Sequence, residues 1–306
     1  MTAKGGYFPR GQSVLREVQE ERAVGLMYGQ RALCIGALAP LNYVGTSEHT
    51  SGRSMPFKRL VRTAKAFEAV MMGSRAEADA VLATVHSKHL RVTGALAEDA
   101  GPYPAGTPYD ALDPQLMLWT IAVMMDSAER LYDLLVRTLR RDEREALWQD
   151  YVRFGELFGM PREVAPASYP EFRRFYEDLL AGDSLWLTAE ARYMGRASAF
   201  EIPMPAGALP VKRLHDLIML GSLPPRVRRI YRLPWSPAHA IAFATATRSA
   251  RAARRALPSS SARGRNARTF DLVAATEARR IAEGRPTPQL APLTRLGMER
   301  MIKITK

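Results

Sequence analysis

A single cysteine, Cys34, stands in 306 residues, which excludes a disulfide framework and any metal site built from thiolates alone. Histidine is scarce as well, with five in the chain. No stretch reaches the roughly 18 uncharged apolar residues of a membrane-spanning helix, and the opening MTAKGGYFPRGQSV lacks the apolar run of a secretory signal. A cytoplasmic protein, soluble or peripheral to a membrane, is therefore expected. Also missing are a Gly-x-Gly-x-x-Gly turn after a strand, a Walker-type Gly-Lys-Ser/Thr loop and a Gly-x-Ser-x-Gly elbow. Nucleotide-dependent and serine-hydrolase chemistry start without a foothold. Runs of alternating β-branched residues bounded by hairpin turns are absent too, and no fixed-period repeat is visible.

What is present is apolar content and helical periodicity. Hydrophobic residues make up 47% of the chain, enough for a substantial core without staples. The net charge of +13 is unevenly spread. Residues 226–285 carry fourteen Arg against Asp271, Glu277 and Glu283, a net of +11, residues 286–306 add +3, and residues 1–225 come to −1. Residues 1–225 are thus electrically ordinary, and the chain is expected to divide into a helical domain, residues 1–256, and a basic, partly flexible C-terminal extension, residues 257–306.

Apolar residues at helical spacing predict helices over residues 12–28, 56–72, 75–92, 113–140, 142–158, 169–181, 188–200, 212–220 and 236–256. Residues 33–44 form an apolar segment interrupted by Pro40. Gly73 reads as a C-cap, Ser74 as an N-cap, and Asp113-Pro114 as a cap followed by a first-turn proline. Residues 257–268, LPSSSARGRNAR, are polar enough for a mobile loop. An all-α, single globular domain of many helices follows.

His86 falls among Ala78, Val81, Leu82, Val85, His89 and Val92 on its helix. An imidazole there must satisfy two ring nitrogens, either through a carbonyl hydrogen bond in the core or by ligating a metal. His86 and His89 could chelate one ion, but a third ligand and a glutamate base in a His-Glu-x-x-His pattern are lacking, as are the paired Glu-x-x-His motifs of di-iron bundles. A haem iron needs one axial histidine in an apolar helical pocket, and that is compatible with this sequence. Arg59 and Thr63, four apart, share a helix face. They are either a solvated face or a guanidinium and hydroxyl turned toward a haem propionate or bound oxygen.

Taken in order, Arg31-Ala32-Leu33, Arg59-Leu60 with Thr63, Phe67, His86 with Gly94, Tyr109-x-Ala111-x-Asp113-Pro114, Leu118-Trp119, Asp126-Ser127, Gly159 with Pro161, and Leu223-Pro224-Pro225 with Trp235 resemble the rubber oxygenase and MpaB-type oxygenase family over about residues 12–239. The resemblance implies an all-α fold around one haem b, with His86 as the proximal iron ligand and Arg59 and Thr63 near the haem. It implies O2 as co-substrate and a lipophilic substrate, with oxidative cleavage of carbon–carbon double bonds in isoprenoid chains. Where many members carry His-Pro, this sequence has Ala39-Pro40, which would open the distal pocket or alter proton delivery.

The expected activity is haem-dependent oxygenation of a lipophilic small molecule, with His86 on the iron, Arg59 and Thr63 beside the haem, and His49 and Arg62 handling protons on the distal side. Peroxidase-like, desaturating or isomerising haem chemistry on the same fold is an alternative. A module that binds nucleic acid or an anionic membrane through Arg248, Arg251 and Arg255 is another. Without a helix-turn-helix, zinc pattern or aromatic platform, nucleic acid is the weaker partner and membrane contact the stronger.

Overall fold

The computed structural model describes residues 5–50 and 53–288, so the last part of the basic extension, 289–306, lies outside the described residues. Among these there are fourteen α-helices and one two-stranded ribbon, an all-α fold. In chain order they are α1 (Val14–Glu20), α2 (Arg22–Gly36), α3 (Pro40–Glu48), α4 (Pro56–Met72), α5 (Arg75–His89), β1 (Thr93–Ala95), β2 (Pro108–Asp110), α6 (Pro114–Leu135) and α7 (Arg141–Leu157). After them come α8 (Tyr169–Ala181), α9 (Ala189–Phe200), α10 (Leu209–Ser222), α11 (Pro225–Ile230), α12 (Pro237–Ala256), α13 (Ser259–Ala262) and α14 (Ala267–Ala282).

Local chemistry sets most helix ends. Asp113 accepts from the backbone N–H groups of Gln115 (2.7 Å) and Leu116 (3.1 Å), with Pro114 in the first turn of α6. The Ser74, Ser168 and Thr188 side chains cap α5, α8 and α9 in the same way. Two departures come from tertiary contact. The helix expected over 12–28 breaks at Glu21, which is extended and bridged to Arg263. Its carboxylate, almost wholly buried, accepts from Arg254 (2.8 Å) and Arg263 (2.7 Å). Residues 257–268, expected as a mobile loop, contain α13 and the second of these arginines, Arg263, and α14 follows where no helix was anticipated.

The two central helices, α2 and α6, make the most extensive interhelical contact, and α6 is buried around most of its circumference. At their crossing Arg31 donates to Asp126 (2.7 Å), to the Ser127 hydroxyl (2.9 Å) and to the Ser222 carbonyl (3.2 Å). Asp126 also accepts from Arg173 (2.7 Å) and the Tyr176 hydroxyl (3.0 Å), so α2, α6, α8 and α10 meet at one polar point inside the core. Burial alone would raise the Asp126 carboxyl, but Arg31 and Arg173 outweigh it and hold it below its ordinary range. No single described helix is long and apolar enough to cross a membrane. Helices α2 and α3 meet that test only as a pair bent by 111°, and α2 lies in the core.

Removing one partner of a buried ion pair leaves an uncompensated charge, so Arg31→Ala should cost about 3–5 kcal/mol in chemical denaturation. A loss under about 1 kcal/mol would show that the pair does not hold α2 to α6. Because the Asp126 carboxyl is depressed on folding, its contribution is full above the unfolded value near about 3.9 and fades as pH falls below it.

Candidate functional site

Helices α4 and α5 pack together around Gly73 and Ser74 and carry most of the candidate residues. Helix α4 buries Val61, Glu68, Ala69, Val70, Met71 and Met72, which turns Arg62 and Thr63 outward. The Thr63 hydroxyl donates back to the Arg59 carbonyl (3.3 Å), as a helical threonine four residues on commonly does. Arg59 is half-buried. Its Nη1 donates to the Thr50 hydroxyl (3.2 Å), while its Nε is buried with no hydrogen-bond partner. Burial lowers the pKa of its guanidinium, the neighbouring Tyr43 opposes that, and Arg62 and Arg53 add to it.

The structure corrects the placement of His86. Sequence periodicity put it within the apolar stripe of α5, but it is exposed, whereas His89 is half-buried. The geometry explains why. At 100° per residue, His89 returns to within about 20° of the fully buried Ala78, and His86 lies about 80° away from it. Val81, Leu82 and Val85, all within about 60° of Ala78, are partly buried. The Nδ1 of His89 is buried and unpartnered, and desolvation together with the nearby His86 lowers the pKa of its imidazole. The sequence reading set His89 on this face but took His86 as the ligand, although the spacing of His89 from Ala78 already gave it the inner position.

His49 caps the C-terminal end of α3 and reaches the ribbon. Its Nε2 lies 3.2 Å from the Tyr109 hydroxyl, which itself donates to Glu48. With the phenol proton committed to Glu48, His49 is the donor to the Tyr109 oxygen. Burial and then Glu48 raise the pKa of the Tyr109 phenol. Gly94 pairs with Tyr109 across the ribbon, and a Cβ on Gly94 would sit 2.4 Å from the Tyr109 hydroxyl. Next to them an open depression of about 460 Å³ is lined by Gly94, Tyr109 and Asp113.

The end of α3 therefore joins His49, through Tyr109, and Arg59, through the adjacent Thr50, into one polar neighbourhood. Ser47 extends it by donating to Glu190 (2.7 Å), which also pairs with Arg53 (3.6 Å). Thr63 and Arg62 lie at its solvent edge. His86 and His89 stand on the adjoining helix, and neither lines that depression. Ala39 is the N-cap residue of α3 and has no side-chain donor to contribute.

A haem is the group the family resemblance implies, and two of the side chains present are of the kinds that would hold one. The two unpartnered buried nitrogens on α4 and α5 belong to a guanidinium, suited to a propionate, and an imidazole, suited to iron. Among the described residues no group of three His, Cys, Asp or Glu converges on one point, so side chains alone offer no metal cage there.

The helical fold and this polar neighbourhood belong to an oxygenase catalytic domain. Residues 16–254 match the model of the family described as ER-bound oxygenase mpaB/B'/Rubber oxygenase, catalytic domain, and the chain belongs to that family. It is also similar to uncharacterised proteins of Mycobacterium bovis and Mycobacterium tuberculosis, each 24% identical over 183 residues, covering 60% of this chain and 69% of theirs. No solved structure matches it.

The Gly94 and Tyr109 contact is open to test. Gly94→Ala should push the ring off Glu48 and His49 and cost about 1–3 kcal/mol, read as a fall in thermal midpoint. An unchanged midpoint and an unchanged tyrosine near-ultraviolet signal would show that the ribbon yields freely.

Proposed function

We propose that this chain is a haem b-dependent oxygenase that uses O2 on a lipophilic small molecule, of isoprenoid or other alkene-bearing type, with oxidative C=C cleavage as the reaction. The observation that carries this reading is the pair of buried, unpartnered nitrogens, Arg59 Nε and His89 Nδ1, on packed helices of a chain in an oxygenase family. Haem, when bound, supplies a redox-active iron for dioxygen chemistry.

The chain's own residues divide the remaining work. An imidazole from α5 holds the iron, and burial supports His89 over the exposed His86 implied by the resemblance. Arg59, desolvated and without a carboxylate partner among its hydrogen bonds, is suited to a propionate. Thr63, at the outer edge, fixes the first turns of α4 through the Arg59 carbonyl. Arg62 acts on Arg59 by like-charge proximity. The hydrogen bonds from His49 to Tyr109 and from Tyr109 to Glu48 form a directional chain suited to moving a proton. Contact with an anionic membrane surface, useful for a lipid-partitioning substrate, would use Arg248 and Arg255, which are exposed on α12, and not Arg251, which turns inward to the Asp133 carbonyl.

The purified chain reconstituted with haem b should show a Soret band that His89→Ala abolishes and His86→Ala leaves in place. The opposite pattern would return the ligand to His86, and a band indifferent to both changes would end the claim that α5 supplies it. With 18O-labelled O2 and alkene-bearing substrates, label in a carbonyl product supports oxygenation. Unlabelled, rearranged or desaturated product would assign the other haem chemistries.

A further inference from the structure

Residues beyond 254 lie outside the matched family domain, yet they grip the two helices that carry Arg59, Thr63, His86 and His89. Glu277 of α14 is fully buried and accepts from the backbone N–H groups of Phe57 (3.0 Å) and Lys58 (2.7 Å). These two amides lie in the first turn of α4, where no intrahelical carbonyl reaches them. Helix α4 has no side-chain cap of its own, since its N-cap residue is Met55. Farther along α4, Glu68 accepts from the Asn266 amide (2.8 Å), and Lys65 pairs with Asp271 (2.5 Å). Arg265 forms a two-pronged pair with Glu77 in the first turn of α5 (2.7 and 2.9 Å).

Arg59 is the residue immediately after the capped amides, and its own N–H makes the bond to the Met55 carbonyl (3.2 Å) that starts the helix. Its guanidinium has one side-chain hydrogen bond among the described residues, to Thr50. The direction of Arg59 therefore depends chiefly on where the first turn of α4 is held. A carboxylate suits that task because it offers one oxygen to each of two adjacent donors and places negative charge at the positive end of the helix. A glutamine keeps the shape but presents a donor to one of the two amides.

We propose that Glu277 is a positioning residue for Arg59, acting in trans as the N-cap of α4, so that α14 belongs to the framework of the candidate site. The proposal rests on the reading of Arg59 as a site residue given above. Its test needs no haem, which keeps its failure separate from failure of that reading.

In the full chain, backbone amide exchange at Phe57 and Lys58 reports the cap, and the Nε–H resonance of Arg59 in arginine-labelled protein, assigned by its loss in Arg59→Lys, reports the position. Glu277→Ala should speed exchange at both amides about tenfold or more and shift the Arg59 signal, with Glu277→Gln intermediate in both readings. Exchange at the unsubstituted rate would overturn the cap, and faster exchange with an unmoved Arg59 signal would overturn the positioning. If Glu277→Ala does not fold, the nearly isosteric Glu277→Gln decides by the same two readings, with a smaller change in each supporting the proposal and no change refuting it. A chain that takes up no haem would sink the proposed function while leaving these outcomes intact.

Discussion

A guanidinium and a carboxylate, Arg31 and Asp126, meet out of water between the two central helices, and the remaining architecture is arranged about that contact. Each ion loses several kcal/mol of hydration on burial, which a lone pair seldom recovers. Here the deficit is offset by further partners: Ser127 and the Ser222 carbonyl for Arg31, and Arg173 and Tyr176 for Asp126. Such a point tolerates few alternative registers, because a helix that slips leaves a charge stranded. Fixing α2 also fixes where α3 departs, and the polar end of α3 carries His49 and Thr50 to their partners Tyr109 and Arg59.

Much of the fold was legible because its signals are local. Pro56 and Gly73 bound α4, Asp113-Pro114 opens α6, and Ser74, Ser168 and Thr188 start helices whose first residue the periodicity had placed to within about one position. The all-α class followed from those signals, and the family from the ordered motifs whose resemblance carries it. Features whose causes are remote were not legible. Glu21 sits in a helical pattern and looks like a solvated acid, yet it breaks the helix because two arginines more than two hundred positions away claim its carboxylate. Helix α14 was missed for a similar reason, since its buried Glu277 and Thr276 serve α4 and the core and blur the apolar stripe.

The site was partly legible. Arg59 and His49 do share a neighbourhood, joined by Thr50 and Tyr109, which spacing could not show. The histidines of α5 were harder, because only Ala78 is fully buried on that helix and a broad stripe leaves its edges undefined. The basic C-terminal region was misleading as a total. Arg254, Arg263 and Arg265 are spent on Glu21 and Glu77 within the fold, so the outward field is weaker than the net charge of residues 226–285 suggests.

The bond between Arg263 and Glu21 spans 242 positions, and this bears on how the molecule is made. While the chain is still leaving the ribosome, the acid near its beginning has no arginine to neutralise it, and the junction of the first two helices cannot close. Contacts of such long range are late and slow to form. The nascent polypeptide would therefore close that junction only after residue 263 has been translated, and chaperones that shield early helical segments would have the longest interval in which to act.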